Sequence, residues 1–297
     1  MAKNWTRIDI SCGMEIADDL GAELAEAFGA GVEFTPAGLR IYFDSTAFEE
    51  KRQRLQQVLD SSPGANAGHE AITWSSSELA DEDWSETWKA HFKPLRVGRH
   101  FLVAPTWERV SPGPEDLLIL IDPGRAFGTG HHETTRLCLE WLETWVGKQP
   151  AGRDHAPGSL LDVGTGSGIL AMGAALLGFE HIVGIDNDPE AIEVAVPNLE
   201  LNNLTEKIRV TCASVQDIRG AFDVVISNIQ SMPLIRMAEP MVSRVRDGGR
   251  LALSGILTEQ AEEVRDAYEE RGASLIGTKT AGEWVLLEFA VSKKDTE

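Results

Sequence analysis

The residues able to do chemistry gather in a few short stretches, each beside an apolar run. S-L-L-D-V-G-T-G-S-G over 159–168 sets an acid and three alternate glycines directly after a strand-like segment. Gly164, Gly166 and Gly168 let the backbone turn sharply and approach a ligand where a Cβ would stand in the way. Ile169–Leu177 then predicts an alanine-rich helix whose free N-terminal amides can face that ligand. H-I-V-G-I-D over 181–186 is a second apolar strand. Its closing carboxylate lies about 20 residues beyond the glycines, where a doubly wound sheet sets the acid that bonds a ribose. Asp186 also reads as a helix N-cap before Pro189, but Asp188 serves that purpose equally well. Ribose is therefore the favoured role of Asp186 and capping that of Asp188.

Two further stretches carry polar groups. D-P-G-R-A-F-G-T-G-H-H-E-T-T over 122–135 precedes an apolar-striped helix. It reads either as a helix cap or as a lid over a cofactor, with the hydroxyls of Thr134 and Thr135 near the helix start. His131 and His132 are adjacent at that start and point in different directions, so they do not readily share a metal, and His131 reads as an ordinary loop hydrogen-bonder. S-N-I-Q-S-M-P-L over 227–234 follows another strand. Asn228 offers an acceptor and two donors, able to orient an amine without protonating it, or else it caps the helix that Pro233 opens. The spacing behind Asp162 is G-x-G-x-G, not the G-x-G-x-x-G of dinucleotide folds, which looks like S-adenosylmethionine methyltransferases more than NAD enzymes.

The elements that must position these residues follow from periodicity. Leu160, Leu161 and Val163 suit a central parallel strand covered on both faces. Strands at 181–186, 208–212, 222–227, 250–254, 273–278 and 283–291, with helices at 191–203 and 259–271, predict a doubly wound seven-stranded sheet closed by an antiparallel hairpin. Pro197 inside a predicted helix costs about 3 kcal/mol unless the helix accommodates it. Ahead of this domain, strands at 5–11, 32–34, 39–43 and 70–75 and helices at 15–28 and 47–59 spell βαββαβ, a ferredoxin-like arrangement. That module, residues 1–77, holds no catalytic constellation; it reads as a recognition domain, or as a structural or oligomerising one. S-S-P-G-A-N-A-G over 61–68 is a loop within it. Residues 78–115 read as a linker with a short helix over 83–91 bearing Trp84 and Trp88, then a connecting strand at 101–104. Residues 116–297 form the Rossmann-like domain.

Composition narrows the classes. The chain has 297 residues, 42% of them apolar, enough to bury a large core. Three cysteines imply neither a disulfide framework nor a metal cluster. The N-terminal stretch lacks the apolar region of a signal peptide, and no run reaches the roughly 18 apolar residues of a membrane helix, so a cytoplasmic, monomeric protein with no membrane association is expected. A net charge of -20 suits a basic partner. Binding nucleic acid needs clustered cations, and the one cluster lies between Lys51 and Arg54, so no direct nucleic-acid contact is expected.

The combination of D-P-G-R-A-F-G-T-G-H-H-E-T-T-R-L-C-L-E-W-L, L-L-D-V-G-T-G-S-G-I-L-A-M-G-A, G-I-D-N-D-P-E-A-I, S-N-I-Q-S-M-P-L and L-S-G-I-L resembles the PrmA family, bacterial lysine methyltransferases of ribosomal protein L11. The resemblance runs from the linker tryptophans through A-P-T-W to the C-terminus. It implies S-adenosylmethionine as methyl donor, bound by Thr135, Gly164, Asp186 and Asn228, with Asn228 also near the reacting amine as the catalytic residue. It further implies substrate recognition by the βαββαβ module, a basic ribosomal protein as acceptor on lysine or N-terminal amines, and no metal. Where the family usually reads T-H-P-T-T, this chain has H-H-E-T-T over 131–135. Competing readings are a small-molecule amine methyltransferase, a non-catalytic S-adenosylmethionine binder and an NAD-dependent dehydrogenase. Labelled-methyl transfer and calorimetry with S-adenosylhomocysteine against NADH separate them.

Overall fold

The computed structural model describes residues 5–28, 32–35, 38–61, 72–79, 92–122, 130–148 and 158–292. The chain divides into two units, 1–91 and 92–297. The first is built from β1 (Trp5–Ser11), α1 (Met14–Phe28), β2 (Val32–Thr35), β3 (Gly38–Asp44), α2 (Ser45–Ser61) and β4 (Thr73–Leu79). Its sheet runs β2-β3-β1-β4, antiparallel throughout. Strand alternation sends Ile8, Ile10, Ile41 and Phe43 to one face, where Leu20 and Leu24 of α1 and Leu55 of α2 cover them. Arg40 on the other face bonds Asp9 at 2.7 Å and approaches Glu33 at 3.5 Å.

The last strand of this unit sits later than the predicted 70–75. It pairs along the whole of β1, from Ser11 opposite Thr73 to Trp5 opposite Leu79. Its polar middle, Ser75 to Ser77, is held by ladder hydrogen bonds that a hydrophobic pattern cannot announce. Most of the predicted 61–68 loop and the tryptophan-bearing helix at 83–91 lie outside the described residues.

The second unit opens with β5 (Leu95–Val97), β6 (Phe101–Pro105) and β7 (Leu117–Ile121), a sheet in the order β5-β6-β7. No sequence pattern marks β5. Its turn into β6 is closed by Glu143 of α3 (Glu133–Gly147), which accepts from the Arg99 and His100 amides at 2.8 Å each.

Then come β8 (Ser159–Val163), α4 (Ile169–Leu176), β9 (His181–Asp186), α5 (Pro189–Leu201), β10 (Ile208–Cys212) and β11 (Phe222–Asn228). They are followed by α6 (Ser231–Arg236), α7 (Ala238–Ser243), β12 (Val245–Leu257), α8 (Ala261–Glu269), β13 (Ala273–Ala281) and β14 (Trp284–Val291). The described residues form the expected seven-stranded sheet, ordered β10-β9-β8-β11-β12-β14-β13. Five strands are parallel and β14 pairs antiparallel with both β12 and β13. Both faces are covered: Leu160, Ile182 and Ile226 pack with Leu139 and Met172 on one side, Leu161, Val225 and Leu253 with Leu234 and Tyr268 on the other. That two-sided burial is why these strands read as unbroken apolar runs.

Two differences have local causes. β12 extends well beyond the predicted 250–254, because Val245 already pairs with Phe222 and the Gly248-Gly249 turn is an irregularity inside the strand. Pro197 does lie inside α5, but it and Glu193 are exposed, so the carbonyl deprived of its helical donor faces water.

Tyr268 of α8 is fully buried, and its hydroxyl donates to the Leu234 carbonyl of α6 at 2.9 Å. Tyr268→Phe removes that bond and leaves the Leu234 carbonyl only the Met237 amide at 3.2 Å, so denaturant unfolding is expected to show a loss of about 1 kcal/mol. Unchanged stability would mean the bond contributes nothing net.

Candidate active site

At the carboxyl edge of the parallel strands lies a cavity of about 730 Å³, within the range of small-ligand sites. Five strand ends contribute to it: Gly164 after β8, Asp186 of β9, Ala213 after β10, Asn228 of β11 and Gly255 of β12. β8 is flanked by β9 on one side and β11 on the other, so chain connections leave it in opposite directions and open a crevice.

The glycine turn is shaped by close approach. Gly164 has φ +75°, and a Cβ there would stand 2.5 Å from Cγ2 of Ile229. Asp186 braces the same turn: one carboxylate oxygen accepts from the Gly166 amide at 3.0 Å, the other from the Asp188 amide at 3.1 Å. Asp188, as expected, is the N-cap of α5, accepting from the Glu190 amide at 2.9 Å with Pro189 at the first helical position.

Across the cavity, Asn228 is 8% exposed. Its Nδ2 donates to Thr135 Oγ1 at 3.2 Å, while its buried Oδ1 has no partner among the described atoms. Thr135 is fully buried and does not itself line the cavity; its neighbour Thr134 does. One helical step turns adjacent side chains apart, so Thr135 acts on the site from behind, through Asn228. Gly164, Asp186 and Asn228 thus share one cavity, with Thr135 buttressing the last.

His132 caps α3, accepting from the Thr134 amide at 3.3 Å. His131 bonds the Lys93 carbonyl at 3.0 Å, the loop role expected of it. Residues 123–129 of the glycine-rich segment ahead of them lie outside the described residues.

Comparison with known proteins shows the family of the chain. Residues 4–292 match the family described as Ribosomal protein L11 methyltransferase (PrmA). The chain belongs to this family. A Ribosomal protein L11 methyltransferase of Pelobacter propionicus is 38% identical over 97% of this chain and 98% of its own, and one of Geobacter sulfurreducens is 38% identical over 97% and 99%. The solved structure of a ribosomal protein L11 methylase from Lactobacillus delbrueckii subsp. bulgaricus superimposes with a TM-score of 0.61 at 29% identity, covering 68% of this chain and all of that one.

Within this family member, Glu133 stands at the first position of α3, where the family's usual proline would fall. Proline and an acid are both favoured at that position, one by its fixed φ and the other by the helix dipole. The sequence did not assign three further residues to the cavity. His132 and Trp284 line it with ring centroids 4.9 Å apart, and Trp284 carried no local signal. Gly255 was visible only as the glycine of L-S-G-I-L; a Cβ there would meet the backbone of Ile229, 2.8 Å from its carbonyl carbon and 2.9 Å from its nitrogen.

Beneath the glycine turn, burial pushes the Asp162 carboxyl up to about 7, against a hydrogen bond from Thr165 that lowers it. The folded chain then holds a proton that the unfolded chain releases above its ordinary value of 3.8. This group's stabilising contribution is complete below about pH 4 and is lost as pH rises toward 7. The melting temperature of the wild type is expected to fall relative to Asp162→Asn between pH 5 and pH 8; a constant difference would refute the linkage.

Gly255→Ala is expected to cost about 1–3 kcal/mol more than Gly282→Ala. Both glycines have positive φ, +83° and +59°, but nothing lies within 4 Å of a Cβ at Gly282. Equal losses in thermal unfolding would show that crowding against Ile229 is unimportant.

Proposed function

We propose that the chain transfers methyl groups from S-adenosylmethionine to lysine side-chain amines, and to an N-terminal amine, of ribosomal protein L11, in the cytoplasm. Membership of the L11 methyltransferase family supports the acceptor, and the cavity supports the donor. The observation that carries the reading is the unpartnered Oδ1 of Asn228, buried at the end of β11 opposite the glycine turn and Asp186. A buried acceptor without a donor is costly unless a ligand satisfies it.

The residues present fit an adenosyl ligand. Asp186 keeps lone pairs for ribose hydroxyls, Ala213, Val215 and Met237 offer an apolar end for a flat base, and Gly164 leaves room that a side chain would fill. When bound, S-adenosylmethionine supplies an electrophilic methyl on a sulfonium whose sulfur departs with the bonding electrons. The chain's own residues then have an alignment task. Asn228 Oδ1 accepts an N–H of the incoming amine and directs its lone pair into the cavity, and Thr135 fixes the amide plane from behind.

Asn228 is not a base. A lysine amine has a pKa of about 10.4, so its neutral form costs about 4–5 kcal/mol at pH 7. Desolvation at a site walled by His132 and Trp284 favours the neutral amine, and the proton passes to water. The first unit, which contains its own core and an acid-base face at Asp9, Arg40 and Glu33, is the recognition module in this reading. The overall charge of -20 favours a basic protein over a nucleic acid.

Labelled methyl is expected to pass from S-adenosylmethionine to purified L11, with mass spectrometry placing it on amines. Asn228→Ala should lower turnover by about tenfold to a hundredfold while S-adenosylhomocysteine affinity, read by calorimetry, changes far less. Label in RNA rather than protein, or undiminished turnover of the variant, would remove this reading.

A further inference from the structure

Asn198 of α5 and Asn202, the C-cap of that helix, lie four residues apart on one face. Four helical residues rise about 6 Å and two strand residues about 6.6 Å, so two such side chains match alternate residues along a strand edge. β7 is an outer strand of its sheet, and its free edge is met in this way. Asn202 accepts from the Leu120 amide at 2.8 Å and donates to the Leu120 carbonyl at 2.6 Å; Asn198 accepts from the Asp122 amide at 2.9 Å. The two side-chain amides occupy the place of a missing strand.

Asn198 does one thing more. It is 1% exposed, and its Nδ2 donates to the Ser167 carbonyl at 3.1 Å. Ser167 sits between Gly166, whose amide bonds Asp186, and Gly168, the N-cap of α4. Neither Asn198 nor Asp122 lines the cavity. A turn with three glycines has few side chains to hold it by packing, so its placement depends on hydrogen bonds from outside.

We propose that Asn198 is a positioning residue that ties the exit of β7 to the glycine turn and so sets the cofactor site from outside it. This rests on reading the cavity as the S-adenosylmethionine site. Coupling of this kind is reciprocal: what holds the turn for the ligand is in turn held by the ligand.

The test combines amide hydrogen exchange and calorimetry on the full chain with S-adenosylhomocysteine. In the wild type, saturating ligand is expected to slow exchange of peptides spanning 117–122 by about fivefold, although these residues lie outside the cavity. Asn198→Ala should weaken binding by about tenfold or more and speed exchange at both 117–122 and 164–168. Asn198→Asp keeps an acceptor for the Asp122 amide but sets a carboxylate against the Ser167 carbonyl, so it should lose affinity while 117–122 stays closer to wild type. Asn202→Ala, which removes the bonds to Leu120, to the Asn198 carbonyl and to Met172 Sδ but leaves the Asn198 side chain on Asp122 and Ser167, should lower the melting temperature yet hold affinity within about twofold.

The proposal is overturned if ligand leaves 117–122 unprotected in the wild type. It is equally overturned if Asn198→Ala binds as the wild type does, or if all three variants lose affinity in step with melting temperature. A wild type that binds no S-adenosylhomocysteine defeats the cavity reading itself, a distinct failure seen before any variant is made.

Discussion

The backbone around Ile229 must fit between two positions that have no Cβ. Gly164 faces its side chain and Gly255 faces its peptide group, and a methyl at either would push the turn after β11 away from the turn after β8. This close approach brings Asn228 opposite the glycine turn at the carboxyl edge of the sheet. Everything else in the site is arranged about that contact. Asp186 braces the glycine side through the Gly166 amide, and Thr135 braces the asparagine side. A crevice where the strand order reverses becomes a shaped pocket only because both of its turns are held.

The second constraint is the company of polar groups buried where the strands end. Ser227 donates to the Val163 carbonyl at 2.7 Å, Ser254 to the Val285 carbonyl at 3.2 Å, Thr165 to Asp162 at 2.7 Å and Asn198 to Ser167 at 3.1 Å. Each pairs a backbone or carboxylate oxygen that water cannot reach. Beneath them Leu160, Leu161, Val224, Val225 and Leu251 are buried and apolar. Rigidity therefore comes from packing in the body of the sheet and from hydrogen bonds at its working edge, where a ligand has to replace some of those partners. Asn228 Oδ1 shows that division, as a buried acceptor left open at the cavity.

Much of this was readable from the chain. The five parallel strands appeared within a residue or two where apolar runs are continuous, and less well where pairing rather than hydrophobicity defines the strand. β4 is polar in its middle and β12 passes through Gly248 and Gly249, so both were misplaced or cut short. β5, three residues long, left no pattern at all. Among site residues, Gly164, Asp186 and Asn228 were legible because each ends a strand, and strand ends are marked by a change from apolar to polar residues. The threonine pair at 134 and 135 was placed correctly at a helix start, but which of the two faces the cavity depends on the rotation of α3 against the sheet.

The local units were written in the sequence: strand, glycine turn and helix, the acid one strand later, the asparagine closing β11, and the βαββαβ order of the front module. Those signals live in spacing over a few residues, the range within which dihedral preference and side-chain period act. Tertiary structure alone decided that His132 meets Trp284, that Gly255 must lack a side chain, and that Asn198 and Asn202 seal the edge of β7. Partners so far apart in the chain are chosen by how helices and sheets pack, and no periodicity along the backbone encodes that choice.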